Sequence, residues 1–266
     1  MGNSETTSKD AHPVISPVIS IVVPVHNEEA NIGALMDEIA TAMAEIGAFE
    51  IVVVNDGSTD NTSAELAGAG EKVPELMVVN HDGNFGQSAA LLSGVRAAQA
   101  DWIATLDGDG QNDPADIPSL WQRLQQTQPG GSLKMIAGHR RKRHDSWVKL
   151  KSSKIANGIR GGLLKDGVPD TGCGLKLIER EAFLALPFFD HFHRFLPALI
   201  QRTGGTVEAI EVHHRPRGGG QSHYGVGNRL WVGIVDLIGV LWLQRRGRHP
   251  KVRDINFSSK ETKNDR

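Results

Sequence analysis

Leu106-Asp107-Gly108-Asp109-Gly110-Gln111-Asn112-Asp113-Pro114 closes the apolar run Trp102–Leu106. A hydrophobic segment of strand length ends in two carboxylates with one small residue between them. Pro114 then opens a helix-length stretch, with Asp113 before it as a cap. The same pattern recurs upstream. Ile19–Val23 runs into Pro24-Val25-His26-Asn27-Glu28-Glu29, and Ile51–Val54 runs into Asn55-Asp56-Gly57-Ser58-Thr59-Asp60-Asn61-Thr62. Further apolar runs stand at Leu76–Val79 and Met135–Ala137. Between the first two strands, Ile32, Leu35, Met36, Ile39, Met43 and Ile46 repeat at helical spacing, which predicts an amphipathic helix. Strands alternating with helices predict an α/β fold: a mostly parallel, doubly wound sheet with helices on both faces. Ligands of such sheets sit beyond the carboxyl ends of the strands, where the polar exits lie.

The 266 residues suffice for a large domain, and 39% hydrophobic with 23% charged residues is a globular composition. The single cysteine, Cys173, excludes an internal disulfide framework, fits a reducing compartment and reads as a packing residue. Residues 1–13 are polar and do not read as a secretory leader. P-loop, dinucleotide-fingerprint and Ser-His-Asp hydrolase signatures are absent from the sequence. The formal net charge of -2 hides an asymmetry. Residues 1–138 hold 5 Lys and Arg against 19 Asp and Glu, and residues 139–266 hold 24 against 12. A basic second half suits an anionic partner, whether phosphate groups, nucleic acid or an acidic membrane face, of which nucleic acid is not the expected one.

Beyond Gly138 the pattern changes. Residues 140–165 are basic, Gly174–Ile178 and Val207–His213 read as strands, a helix starts at Glu179, and Arg217–Gly220 is Gly-rich. The expected organisation is a flexible tail at 1–17, one domain at 18–225, an apolar and basic helical segment at 226–253, and a disordered tail at 254–266. Leu230–Leu243 is only 14 residues long and is interrupted by Asp236, short of the roughly 20 a membrane span needs. Trp231 and Trp242 lie on nearly one helix face, ahead of Arg245, Arg246, Arg248, Lys251 and Arg253. An interfacial helix on anionic lipid and a buried core helix fit this pattern equally.

Two hard oxygen ligands at a strand exit, flanked by glycines that let a diphosphate approach, suit Mg²⁺ or Mn²⁺. Asp56 precedes its turn, where a carboxylate can accept hydrogen bonds from a base or ribose. His26 fits a pocket or a structural role, and Ser58 or Thr59 can cap the following helix.

The combination of PVHNEE (24–29), VVNDGSTDNT (53–62), NFGQSAAL (84–91) and LDGDGQNDP (106–114) resembles the family 2 inverting glycosyltransferases of the GT-A fold. Within them it is most similar to dolichol-phosphate mannose synthases and bacterial polyprenyl-phosphate sugar transferases, from about Ser20 to Tyr224. The resemblance implies that Pro24, His26, Glu28 and Asp56 line a nucleotide pocket. It puts Asn84, Gly86 and Gln87 in a loop near the donor. It implies that Asp107, Asp109 and Gln111 hold a divalent metal on the donor diphosphate, and that Arg140 helps neutralise phosphate. A metal and an arginine together would stabilise charge building on the leaving diphosphate.

Asp170-Thr-Gly-Cys-Gly-Leu-Lys176 resembles the family segment Asp-x-Ser-Gly-Phe-Arg, with Lys176 in place of arginine and Cys173-Gly174 in place of Gly-Phe. Arg215 to Tyr224 resembles Arg-x-x-Gly-x-Ser-Lys-Tyr, with His223 in place of lysine. By this resemblance Lys176, Arg215, Arg217, Ser222 and Tyr224 hold an acceptor phosphate, and Arg217 also takes part in catalysis. A solvated basic face is the alternative for Arg215 and Arg217.

A phosphomonoester, with its second pKa near roughly 6, is already a nucleophilic anion at neutral pH and needs cations rather than a base. A sugar hydroxyl would need a carboxylate base, for which Asp170 is the candidate. The expected activity is metal-dependent, inverting transfer of mannose, glucose or a related sugar. The donor would be a nucleoside diphosphate sugar and the acceptor a polyprenyl phosphate, at the cytoplasmic face of a membrane to which the protein binds peripherally. The alternatives are a sugar-hydroxyl acceptor and a non-catalytic membrane-associated subunit that keeps the fold.

Overall fold

Ile19–Val25 (β1) and Phe49–Asn55 (β2) are buried on both faces, which is why they read as nearly unbroken apolar runs instead of alternating ones. The computed structural model describes residues 16–128, 130–140, 160–216 and 226–246 and, within these, every side chain except those of 226–231. The other strands are Leu76–Asn80 (β3), Trp102–Thr105 (β4), Leu133–Arg140 (β5), Lys176–Glu179 (β6) and Thr206–Val212 (β7). They form one seven-stranded sheet in the order β3-β2-β1-β4-β6-β5-β7. All neighbours run parallel except β6, which is antiparallel to both β4 and β5. The expected doubly wound α/β sheet is what the chain builds.

Helices cover both faces. Ile32–Met43 (α1), Thr62–Gly70 (α2) and Ile117–Gln125 (α4) bury Ile32, Met36, Leu66, Ile117 and Leu120 against Ile19, Ile21, Val23 and Ile51. The opposite face packs Gln87–Ala97 (α3), Arg180–Leu184 (α5) and Leu196–Arg202 (α6) against Val22, Val52 and Ile103. Each such side chain taken from water contributes roughly 1.5–3 kcal/mol. Gly94 lets α3 sit deep: a β-carbon there would lie 2.5 Å from Val22 Cγ1. That depth brings the first turn of α3 over the carboxyl end of β4.

β6 matters most for the site. Lys176 is in register with Thr105 on one side and Ala137 on the other, so this strand begins where β4 ends, alongside the last residues of β5. Gly174 and Leu175, expected as strand, lie just ahead of it at the carboxyl edge of the sheet.

The last helix, Val226–Arg246 (α7), has one buried face and one exposed face. Leu237, Val240 and Leu241 pack on the α3/α6 side of the core. Ile234, Val235, Ile238 and Trp242 face outward and are 40–61% exposed. Among the described residues no helix is long and apolar enough to cross a membrane.

Candidate active site

Asp107 follows β4 at the edge where five segments meet. Its backbone N–H donates to Asn112 Oδ1 at 3.3 Å, and its Oδ1 accepts from Gln87 Nε2 at 2.7 Å. Asp109 Oδ1 accepts from the Gln111 N–H at 3.1 Å, closing the turn. Asp113 caps the 3₁₀ turn Pro114–Asp116 through the Ala115 N–H, as the sequence predicts. A β-carbon at Gly174 would lie 2.3 Å from Asp107 Oδ2, so any side chain there would displace the carboxylate. Burial first, and then the charge of Asp109, push the Asp107 carboxyl up to about 6 from its ordinary 3.8. Two crowded carboxylates at a strand exit are a site that a divalent cation relieves. No cluster of three or more His, Cys, Asp or Glu able to hold a metal occurs among the described residues. Two carboxylates suffice for Mg²⁺ when substrate phosphates complete its shell.

The β1 and β2 exits are stitched to each other. Asn27, with a left-handed φ of 56°, donates its N–H to Ser58 Oγ at 3.0 Å and accepts from the Thr59 N–H at 2.7 Å. The Glu28 N–H reaches Thr62 Oγ1, and Asn31 Nδ2 donates to the Glu28 carboxylate. Ser58 and Thr59 therefore do not cap α2, contrary to expectation. Asp60, one residue ahead of the N-cap Asn61, accepts from the Thr62 N–H at 3.0 Å. The half-buried Pro24 and His26 stand at the same edge, His26 Nδ1 lying 2.8 Å from the Asp56 carbonyl oxygen.

Asp56 is buried and fully engaged. Its Oδ1 pairs with His81 Nδ1 at 2.7 Å and accepts from the Phe85 N–H at 2.9 Å, while Oδ2 accepts from the Gly86 N–H at 2.8 Å. It thus pins the loop carrying Asn84 and Gly86 over the edge. His81, which the sequence reading missed, is held in turn by Ser93 Oγ at 2.9 Å.

On the basic side, Arg140 grips Asp170 with both arms, Nε at 2.6 Å and Nη2 at 2.8 Å. Lys176 is buried and donates to the Cys173 carbonyl. Burial lowers its pKa, opposed by the Asp107 and Asp170 charges. Arg215 points elsewhere. Its guanidinium bonds Glu38 Oε2 at 2.6 Å and Asp113 Oδ1 at 2.7 Å, while its N–H bonds the Gln111 carbonyl at 3.0 Å. Arg217, Ser222 and Tyr224 lie outside the described residues. The structure therefore gathers Gln87, Asp107, Asp109, Gln111, Arg140 and Lys176 at one edge and leaves Arg215 clamped to the flank. The sequence reading also missed Ser88 and His193, whose Oγ and Nδ1 lie 2.8 Å apart beside Gln87. No helical or strand period marks His193, which sits in a Phe-rich 3₁₀ turn.

A mostly parallel sheet with one reversed strand, and a pair of carboxylates at the carboxyl edge of β4, defines the GT-A class of glycosyltransferases. The chain belongs to glycosyl transferase family 2, whose family model matches residues 20–186. It is 34% identical over 243 residues to dodecaprenyl-phosphate galacturonate synthase of Rhizobium johnstonii, covering 90% of this chain and 70% of that protein. It is 30% identical over 211 residues to undecaprenyl-phosphate 4-deoxy-4-formamido-L-arabinose transferase of Aeromonas hydrophila, covering 79% of this chain and 63% of that protein. The chain thus spans about two thirds of the length of these relatives. In fold it is similar to glucosyl-3-phosphoglycerate synthase of Mycobacterium tuberculosis. The complex of that enzyme with Mn²⁺, UDP and phosphoglyceric acid aligns with a TM-score of 0.66 at 20% identity, over 88% of this chain and 80% of that one. Its complex with Mg²⁺ and UDP aligns with a TM-score of 0.65 over 86% and 79%.

Proposed function

We propose that this chain transfers a sugar from a nucleoside diphosphate sugar to a polyprenyl phosphate at a membrane surface, with inversion at the anomeric carbon. The donor nucleoside lies at the stitched β1 and β2 exits, near Pro24, His26, Glu28 and the loop that Asp56 pins. Asp107, Asp109 and Gln111 hold Mg²⁺ or Mn²⁺. That ion, bound with the donor diphosphate, offsets the charge that grows on the leaving group. Gln87 orients the Asp107 carboxylate, and Arg140 and Lys176 supply fixed positive charge behind it. A phosphate oxygen of the acceptor attacks the anomeric carbon from the face opposite the diphosphate. The bond from that carbon to the diphosphate oxygen breaks, and its electron pair leaves with the diphosphate.

The observation that carries this reading over a hydroxyl acceptor is the Arg140–Asp170 pair. The candidate base has both carboxylate oxygens occupied by the Arg140 guanidinium, which keeps it ionised and engaged and argues against its taking a proton from a sugar hydroxyl. Arg217, Ser222 and Tyr224 would complete the acceptor side. The names of the polyprenyl-phosphate transferases among the relatives support the same acceptor class. Attachment would use the outward stripe Ile234, Val235, Ile238 and Trp242 of α7, with Arg245 and Arg246 at its end drawing anionic headgroups. The test is transfer of label from a radiolabelled nucleotide sugar into the organic phase, with undecaprenyl phosphate present. Label should enter only with Mn²⁺ or Mg²⁺ and stop with EDTA; label entering a water-soluble sugar acceptor instead would overturn the lipid assignment.

A further inference from the structure

The first turn of α3 carries two consecutive polar side chains that point to different partners. Gln87 donates to Asp107, and Ser88 pairs with His193 Nδ1 at 2.8 Å. Between this turn and the segment Asp190–Arg194 opens a cleft of about 320 Å³, lined by Asn84, Gly86, Gln87, Ser88, His191 and His193. That volume is at the lower end of ordinary ligand sites, and the lining is mostly polar. The proposed reaction has not used either the cleft or His193.

Position tells what the cleft receives. Gln87 belongs both to its wall and to the Asp107 carboxylate, so the cleft begins where a bound diphosphate would end. In the sheet, β1 and β2 lie on one side of β4 and β6 on the other. The nucleoside side is the first. The cleft starts at the loop that Asp56 pins, on the nucleoside side, and runs to His193, which lies within electrostatic reach of Lys176, the first residue of β6. A donor laid across Asp107 with its base toward β2 therefore directs its sugar into this space.

The chemistry of His193 fits a hydroxyl. Burial, with the nearby cations Arg194 and Lys176, pushes its pKa down to about 3, so the ring is neutral at physiological pH. A neutral imidazole has one donor and one acceptor nitrogen. Nδ1 is committed to Ser88, and no second hydrogen bond to His193 occurs among the described residues. Nε2 remains for a ligand, and it adds no charge to a site that already carries Arg140 and Lys176.

We infer that this cleft holds the transferred sugar and that His193, oriented by Ser88, is a specificity-determining residue that hydrogen-bonds a sugar hydroxyl. The inference rests on the nucleotide-sugar reading above, and the experiment separates the two. Calorimetric titrations with Mn²⁺ would compare UDP, GDP, UDP-glucose, UDP-glucuronate and GDP-mannose on the full chain. His193→Ala is expected to weaken the best-binding nucleotide sugar about tenfold while changing its free nucleoside diphosphate less than about twofold. Ser88→Ala should shift affinity the same way by less, and His193→Gln, which keeps an amide donor and acceptor, should recover part of the loss. These two variants carry the test if His193→Ala does not fold. Equal losses for nucleotide sugar and free diphosphate, or no loss for either, would overturn the assignment of His193. Failure of the wild-type chain to bind any nucleoside diphosphate would overturn the underlying reading and this inference with it.

Discussion

Gly174 and Asp107 touch across the sheet edge: a β-carbon on Gly174 would meet Asp107 Oδ2 at 2.3 Å and Asn112 Oδ1 at 2.5 Å. The residue that precedes β6 thereby sets where the carboxylate after β4 can stand.

Gly174→Ala should therefore act on the metal site before it acts on the fold. Overpacking of this kind costs about 1–3 kcal/mol, much of it relieved by pushing the Asp107 side chain aside. We expect Mn²⁺ affinity and transfer to fall at least about tenfold, with a modest drop in melting temperature. Calorimetry with Mn²⁺ and a melting curve would check both. An alanine variant with undiminished Mn²⁺ affinity would mean that Asp107 does not bind the ion.

Acid should weaken metal binding in a range where most carboxylates are inert. The Asp107 carboxyl is raised to about 6, by burial and then by Asp109. Since this folded value lies above the ordinary 3.8, the stability it contributes to the metal-free fold is full at low pH and is lost as pH rises through about 6. Metal affinity runs the other way, because the proton competes for the same oxygens, and should fall about tenfold per unit below that pKa. Asp109→Asn removes the neighbouring charge. It should lower the Asp107 pKa, raise the melting temperature of the metal-free protein at neutral pH, and abolish transfer. Thermal melts and Mn²⁺ titrations between about pH 4.5 and 8 would show this pattern or its absence.

Arg140→Leu should be damaging to stability, because the Arg140 side chain is largely buried at the end of β5. It strands a buried carboxylate whose Oδ2 now accepts from Arg140 Nε at 2.6 Å, and breaking such a pair costs about 3–5 kcal/mol. The double variant Arg140→Leu with Asp170→Asn should recover much of the stability, measured by urea unfolding, yet stay inactive. Recovered transfer in the double variant would show that the guanidinium is not needed for the diphosphate.

Much of this site was legible because its chemistry sits at strand exits. Asp107, Asp109 and Asp56 each follow an apolar run, and parallel strands bring such positions to one edge. What the sequence withholds are contacts made by distant segments. Asp56 spends its oxygens on Phe85 and Gly86 because β2 and β3 pair Asn55 with Asn80, which places the next loop alongside. Arg215 reads as a phosphate ligand until folding brings Glu38 and Asp113 to it. The four residues of β6 carry no sign of their direction, and only their neighbours on both sides make them antiparallel.

The exposed stripe of α7 gives a prediction about membranes. Ile238 is 61% and Trp242 59% exposed, so neither supports the core much. Ile238→Asp with Trp242→Ser should change stability by less than about 1 kcal/mol. The same change should reduce sedimentation with anionic liposomes several-fold at low salt and slow transfer to vesicle-borne acceptor, leaving Mn²⁺ binding intact. Undiminished liposome binding would assign membrane attachment to another surface.

In the sheet order, β3, β2, β1 and β4 form one block and β5 with β7 another, and within the sheet the two are joined only by β6, a strand of four residues. The junction between blocks is also the seam of the site, since Asp107 belongs to the first and Arg140 to the second. Sub-global openings separate cooperative units where the contacts between them are fewest. Heat or denaturant that parts this seam would leave each block with its own strand pairings. On warming, the chain should fall silent as an enzyme while its circular dichroism still looks native.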